Sequence, residues 1–96
     1  MVHTVYILHS EKLNRYYTGY TNNLEERLLF HKHPESRKFT AKANDWMLFF
    51  TIKCNSKKQA LSIEKHVKRM KSKKYIQNLK KYPEIIEKLL LKYQND

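Results

Sequence analysis

The sequence is short of several features, and each shortage excludes a class of protein. One cysteine, Cys54, among 96 residues rules out an internal disulfide, and with five scattered histidines it does not give the spacing of a zinc site. No apolar run approaches the roughly 18 residues that a membrane-spanning helix needs. The first residues lack the basic, apolar and small-residue pattern of a signal peptide, so we expect no secretory leader.

Glycine is also scarce, and the single glycine, Gly19, lies in the run from Arg15 to Tyr20. A chain with so little spare backbone freedom is expected to keep a glycine where another strand or a ligand comes close. Tyr17 in this run and Tyr6 in the preceding strand-like run are candidates for one wall of an active site. The alternative is that both tyrosines are simply good strand residues.

Acidic residues number 9 against 20 lysines and arginines, which gives a net charge of +11. Such an excess predicts a polyanionic partner, most often nucleic acid, with an anionic membrane surface as the lesser option. The alternative is a protein coated with solvated lysines. The length allows one domain with a modest core, and a hydrophobic content of 41% is typical of a globular protein.

The hydrophobic pattern predicts the element order β-β-α-β-α-α-α, which is an α+β domain with a small three-stranded, mostly antiparallel sheet flanked by helices. The predicted strands are 2–8, 15–21 and 46–53, and the predicted helices are 24–33, 56–70, 72–81 and 83–93. Capping signatures support two helix starts, at Asn22 with Glu25 and at Ser56 with Gln59. The third strand is apolar enough to predict burial on both of its faces.

On the first predicted helix, Leu24 and Leu28 define the core-facing stripe, and Arg27 and His31 lie at its edge, one turn apart. An arginine in this position should be exposed or paired, and a substrate phosphate would be a partner for two hydrogen bonds. The alternative is an arginine that extends its head group into solvent beside an ordinary surface histidine.

On the next helix, Glu64 lies inside the apolar arc that Leu61, Ile63 and Val67 define. Glutamate is rarely buried unless it is paired or binds a metal, so Glu64 is a candidate functional residue. Two structural alternatives remain open, an ion pair with a lysine and a carboxylate held by a tyrosine hydroxyl.

These residues together resemble the GIY-YIG nuclease superfamily. Thr4-Val5-Tyr6 resembles its first signature element, and Tyr17-Thr18-Gly19 resembles its second. The resemblance extends over about residues 2–79, and the small single-domain bacterial members, described as excision-repair-nuclease-like proteins, are particularly similar. Thr4 and Thr18 replace a glycine and an isoleucine of the signature, but both are β-formers, so the strands should survive.

The resemblance implies a metal-dependent endonuclease that hydrolyses DNA phosphodiester bonds, in DNA repair or processing, in the bacterial cytoplasm. Its catalytic residues would be Tyr6, Tyr17, Arg27, His31, Glu64 and Asn78. Glu64 would hold one divalent cation, Mg²⁺ or Mn²⁺, and Arg27 would bind the scissile phosphate. Tyr6 would orient or deprotonate the attacking water with help from His31, and Tyr17 would hydrogen-bond the phosphate or the water. Asn78 is assigned only on its spacing from Glu64.

Phosphate contacts would come from a group of basic and polar residues. On the helices they are Lys65, Lys68, Lys71, Lys73 and Lys74, which we call the basic ridge, and in the loop after the first helix they are Arg37, Thr40 and Lys42. A solvated lysine face is the alternative. We expect DNA as the partner, with RNA as the second option, no membrane, and a further protein that supplies specificity.

We divide the chain into a nuclease-like domain at 1–81 and a C-terminal helix at 82–96 that packs on the same domain. A catalytically weak or inactive nucleic-acid-binding module of the same fold is the alternative to the enzyme. An interaction protein that uses the helix 83–93 is a third interpretation, although its apolar stripe is typical of a helix that caps a core.

Overall fold

A computed structural model describes residues 2–31 and 44–95, without the side chains of residues 30 and 31. The strands in this part are β1 (His3–Ser10), β2 (Arg15–Thr21) and β3 (Met47–Cys54). The helices are α1 (Leu24–His31), α2 (Lys57–Met70), α3 (Lys73–Lys81) and α4 (Pro83–Lys92). The predicted α+β class and element order are therefore confirmed. No helix within the described ranges is long and apolar enough to cross a membrane.

The strands form one antiparallel sheet in the order β2-β1-β3, so β1 is central and the other two lie at the edges. Residues 4–8 of β1 are all buried, which means that both faces of this strand are covered. The prediction that β3 is buried on both faces is wrong, since Met47 is 72% exposed and Leu48 is 44% exposed. The apolar run does form a strand, but in the described sheet β3 lies at an edge and pairs with β1 alone.

The turn between β1 and β2 is tied by hydrogen bonds to the residue that precedes β3. Asn14 in this turn has a φ of 48°, a left-handed conformation that asparagine tolerates. The Ser10 hydroxyl donates to Asp45 Oδ1 at 2.6 Å, and the backbone N–H of Lys12 donates to Asp45 Oδ2 at 3.0 Å. These two hydrogen bonds hold the pKa of Asp45 below its usual value. The network fixes the position from which the chain enters β3.

One face of the sheet carries the hydrophobic core. Val5, Ile7 and Ile52 on this face pack against the helical layer. The helices α2, α3 and α4 contribute Ala60, Ile63, Val67, Ile76, Leu79 and Leu89. Because Leu89 belongs to the same cluster as the sheet residues, α4 buries its apolar stripe against the core of the preceding elements.

Serine caps begin two of the helices. The Ser56 hydroxyl accepts a hydrogen bond from the Gln59 backbone N–H at 3.0 Å, and the Ser72 hydroxyl accepts one from the Tyr75 N–H at 3.0 Å. Each cap satisfies one of the N–H groups that the first turn of a helix leaves without an internal partner. The predicted starts of α2 and α3 are confirmed.

The cap of α1 is one residue later than predicted. Asn23 Oδ1, not Asn22, accepts the Glu26 N–H at 3.2 Å, and Asn23 Nδ2 donates to Glu26 Oε2 at 3.4 Å. The Thr21 hydroxyl accepts the Asn23 N–H at 3.0 Å, which turns the chain out of β2 before the helix begins. The two consecutive asparagines could not be told apart from the sequence, because either can serve as a cap.

Two polar side chains of α2 fasten α4 to the domain. Gln59 is 1% exposed, and its Nε2 donates to the Leu90 carbonyl at 2.9 Å while its Oε1 accepts the Asn55 N–H at 2.7 Å. His66 Nδ1 is hydrogen-bonded to the Tyr93 hydroxyl at 3.0 Å. The buried amide is thus paired through both its donor and its acceptor, as burial of such a group requires.

The single glycine makes room for a tyrosine ring. Gly19 is directly opposite Tyr6 in the β1–β2 ladder. A Cβ at position 19 would lie 2.5 Å from Tyr6 Oη and 2.6 Å from its Cζ, so the ring crosses the strand where any other residue would have a side chain. Gly19 does not have a positive φ, and the requirement is therefore for space and not for backbone conformation.

We expect Gly19→Ala to lower the free energy of unfolding by about 2 kcal/mol, because the added methyl group overlaps a ring that is itself buried. Urea denaturation of the variant and of the wild type measures the loss. In a Tyr6→Ala background the same glycine substitution should cost much less, since the overlapping ring is gone. An equal cost in both backgrounds would contradict the packing argument.

Histidine 66 should make stability depend on pH. Partial burial and then the charges of Lys92 and Arg69 lower its pKa from 6.5. A lowered pKa means that the unfolded chain binds the proton more tightly, so the free energy of unfolding falls as pH falls from about 6.5 through the lower folded value. Urea unfolding of His66→Gln and of the wild type between pH 5 and 8, roughly the range in which histidines titrate, should show a smaller slope in the variant. Identical slopes would show that His66 titrates alike in both states.

Candidate active site and nucleic-acid interface

The two signature tyrosines lie on one face of the β1–β2 pair. Tyr6 is opposite Gly19, and Tyr17 precedes Gly19 by two residues, so strand alternation places both side chains on the same face. Their ring centres are 6.2 Å apart and their planes are tilted by 41°. Tyr6 is 1% exposed whereas Tyr17 is half-buried, so Tyr17 is the more accessible phenol. The register of the sheet brings these two predicted residues together.

Glu64 lies on the flank of α2 that faces β2. Its Oε2 is 3.2 Å from Lys68 Nζ, one helical turn later, and the same ammonium group is 6.0 Å from the centre of the Tyr17 ring. The Glu64 side chain is 18% exposed and that of Lys68 is 53% exposed. The ion pair that the sequence left open is therefore present. A pair this exposed on one side contributes only about 0–1 kcal/mol, so another cation can replace Lys68 at the carboxylate.

A lone carboxylate such as Glu64 limits the kinds of metal ion that the described residues could hold. Among the described residues, no group of three or more His, Cys, Asp or Glu side chains could hold a metal. Zinc, which takes three or four protein ligands, does not fit such a set. Mg²⁺ does fit, because it keeps several waters and is often held by one or two carboxylates together with substrate phosphates.

Arg27 lies at the opposite end of β2 from the hairpin turn. It is half-buried and lines a small cleft of about 320 Å³ with Thr21, Asn23 and Glu26. Thr21 has the same strand parity as Gly19 and Tyr17, so Arg27 lies beside the face that carries the tyrosines. α1 ends at His31, whose side chain is outside the described part of the structure.

Asn78 is half-buried on α3. The contacts of Gln77 and Tyr75 show how this helix is turned. Gln77 Nε2 donates to the Tyr16 hydroxyl at 3.4 Å, which directs that flank of α3 toward β2. Asn78 is about 100° further around the helix, on the side of Tyr75. The Tyr75 ring lies 6.0 Å from the ring of His66, which is on the flank of α2 away from Glu64. A catalytic role for Asn78 stays a prediction.

The basic ridge divides into two sets of lysines. Lys68, Lys71 and Lys73 line a cleft of about 480 Å³ between β2 and the α2–α3 junction. Lys65 and Lys74 are exposed outside this cleft. The loop residues predicted to touch nucleic acid, Arg37, Thr40 and Lys42, lie outside the described residues.

The same cleft contains two polar residues that sequence reasoning missed. Arg15 lines it from the start of β2, and Ser72 lines it from the cap of α3. A signal for Arg15 existed, because it precedes Tyr17 by two residues and strand alternation puts it on the face of that tyrosine. Ser72 had no such signal, since its capping role explained its presence fully.

Comparison with known proteins gives two sequence matches. The family profile described as GIY-YIG catalytic domain matches residues 2–80. A UPF0213 protein of Oceanobacillus iheyensis is 35% identical over 68 residues, which are 71% of this chain and 78% of that protein. No solved structure gives a significant match.

The matched family is a nuclease-type superfamily whose members are generally endonucleases. Its substrates are nucleic acids, and its nucleases typically use divalent metal ions. The family profile covers most of the residues, and the relative shares more than a third of the aligned positions. The chain therefore belongs to the GIY-YIG family.

Proposed function

We propose that the protein is a metal-dependent endonuclease that hydrolyses DNA phosphodiester bonds, in DNA repair or processing, in the bacterial cytoplasm. The observation that carries the proposal is the convergence of Tyr6, Tyr17 and Glu64. The tyrosine rings are 6.2 Å apart, and Lys68 connects the Tyr17 ring to the Glu64 carboxylate. These residue types come from two strands and one helix, and packing alone does not require an acid at the rim of the core.

Glu64 is the proposed ligand of the divalent cation, Mg²⁺ or Mn²⁺. When bound, such an ion stabilises the negative charge that develops on the leaving oxygen. The protein's own contribution is to hold one carboxylate beside the face of the tyrosines while most of it is shielded from solvent. Residual exposure of 18% leaves an edge of the carboxylate open to an incoming ion.

The two tyrosines are proposed to have different catalytic roles because they differ in burial. Tyr17 is the more accessible phenol and would donate a hydrogen bond to the phosphate or to the attacking water. Tyr6 would orient that water, with its ring fixed against Gly19. A phenol with a pKa of about 10 is a poor base at neutral pH, so a neighbour must take its proton, and we propose His31 for that role.

Arg27 is proposed to bind the scissile phosphate. Its position beside the tyrosine face supports this role, and its guanidinium can donate two parallel hydrogen bonds to phosphate oxygens. The positive charge would then stabilise the pentacovalent transition state more than the ground state. Asn78 is kept as a further candidate only because of its spacing in the sequence.

The second candidate function is a nucleic-acid-binding module with little catalysis. The observation in its favour is the Lys68–Glu64 ion pair, which satisfies the acid without any metal. The excess of positive charge and the lysine-lined cleft would favour nucleic-acid binding in an enzyme and in a binding module alike. DNA is the proposed substrate for both functions, with RNA as the second option and a protein partner as the source of specificity.

Glu64→Gln should lower the rate of DNA cleavage by at least about 100-fold while DNA affinity changes by less than about threefold, because the variant removes a metal ligand but no phosphate contact. The assay uses labelled linear, nicked, flap, bubble and single-stranded DNA and RNA, with Mg²⁺ or Mn²⁺ and with chelator. Glu87→Gln, the same charge change on an exposed residue of α4, is the matched control and should cleave normally. Equal loss of cleavage and affinity in Glu64→Gln would count against a metal-ligand role.

Lys68→Gln should increase the affinity of the metal-free protein for Mn²⁺ about fivefold, because the ammonium group no longer competes for the Glu64 carboxylate. Isothermal titration without DNA measures this directly. Lys65→Gln is the control, since Lys65 neighbours Glu64 in sequence but points away from the core, and its effect should be smaller. If both lysine variants bind Mn²⁺ alike, Lys68 does not compete for that site.

A further inference from the structure

The cleft of about 480 Å³ follows the outer edge of β2. Arg15 and Tyr17 on one face of this strand and Tyr16 and Thr18 on the other all line it, which is possible only if the cleft runs along the strand edge. β2 is an edge strand in the described sheet, so no neighbouring strand fills this space. The end of α2 and the start of α3 form the opposite wall.

The charge of the cleft has one sign. Arg15, Lys68, Lys71 and Lys73 contribute to its lining, and no acidic residue does so among the described residues. Lys71 has a φ of 47°, the left-handed conformation that ends α2, and α3 begins two residues later at Lys73. The junction of the two helices therefore contributes lysines from the end of α2 and the start of α3 to one cleft.

The cleft is continuous with the candidate active site. Tyr17 belongs to both, and the Lys68 ammonium lies between the Tyr17 ring and Glu64. An anion held by Arg15, Lys71 and Lys73 would therefore be adjacent to a phosphate bound beside Tyr17. The volume is within the range of about 300–1,000 Å³ that is typical of small-ligand sites, so a group the size of a nucleotide can enter.

We infer that this cleft binds the backbone phosphate of the nucleotide next to the scissile bond, on the strand that is cut. The inference rests on the proposed nuclease function and adds a subsite to it, with Arg15 as the residue that no other observation assigned. Arginine is suited to this position because its planar guanidinium forms two hydrogen bonds to a phosphate, whereas Lys71 and Lys73 act as point charges. Such contacts position the strand without reading its sequence.

The test measures binding in the absence of cleavage. The full chain carrying Glu64→Gln is titrated with a labelled single-stranded oligonucleotide in EDTA, at several salt concentrations, by fluorescence anisotropy. The cleft variant adds Arg15→Gln with Lys73→Gln, and the matched control adds Lys57→Gln with Lys58→Gln. The control removes the same charge from exposed residues at the other end of α2, about 20 Å away at 1.5 Å per residue.

The cleft variant should bind about tenfold more weakly at low salt, and its slope of log affinity against log salt should fall by about 1, as expected when a phosphate contact is lost. The control should change affinity less than twofold. An equal loss of affinity in both variants would show that the cleft residues act only through general electrostatic attraction, which would overturn the inference. Inorganic pyrophosphate that competes as strongly as the oligonucleotide would make the cleft a small-anion site instead, which would also overturn the inference.

Lys71→Asn gives an independent variant that keeps the local backbone, because asparagine tolerates the left-handed conformation of this residue. It should reproduce part of the loss, with an unchanged thermal midpoint by circular dichroism. An unchanged affinity in a folded Lys71→Asn protein contradicts the subsite. Failure of the wild type to cleave any substrate would affect the proposed catalysis alone, since the binding comparison does not depend on it.

Discussion

The packing of the Tyr6 ring over Gly19 is the contact on which the rest of the site depends. Tyr6 is on the central strand and is almost completely buried, so the surrounding atoms hold its ring in place. It crosses the neighbouring strand at the one residue without a side chain. A shift of β2 by one residue would bring Thr18 or Tyr20 under the ring and would turn Tyr17 to the opposite face. The glycine therefore determines strand register and tyrosine placement together.

Scarcity of acid shapes the electrostatics of the site. With 9 acidic residues against 20 basic ones, the chain has more cationic side chains than its carboxylates can pair with one to one. Glu64 is paired with Lys68, and the neighbouring cleft has lysines but no acid among its described lining residues. A single negative group beside a positive cleft suits a site that must hold a metal cation and a polyanion next to each other.

The fold and much of the candidate site could be predicted from local patterns. Serine caps, the glycine and the alternation of tyrosines are features of short stretches, and each was visible in the sequence. The exposure of β3 was not visible, because an apolar run does not show whether a strand is central or at an edge. The cleft was not visible either, since it is formed by β2 and by a helix junction about 50 residues later.

Asn78 and Arg15 both show how far residue spacing can predict a site. Spacing along the sequence makes Asn78 a candidate, but it does not show which residues of other elements lie beside that side chain. Arg15 is visible in the sequence only as the first residue of a strand, yet the strand edge places it in the wall of the cleft. Residue spacing predicts which side chains share one face of a helix or strand. It does not predict which helices and strands face each other, because that depends on the angles at which they pack.

Lys68 connects the two halves of the proposed site in one thermodynamic cycle. Its ammonium group is paired with Glu64 in the structure, and it also lines the cleft that we propose as a phosphate subsite. A cation at Glu64 would release Lys68 toward the phosphate, and a phosphate that attracts Lys68 would leave the carboxylate open for the cation. Linkage requires these two effects to be equal in free energy, so metal and nucleic acid should each strengthen the binding of the other. An ion pair of low intrinsic stability, with one exposed partner, is well suited to this role, because either ligand can displace it at small cost.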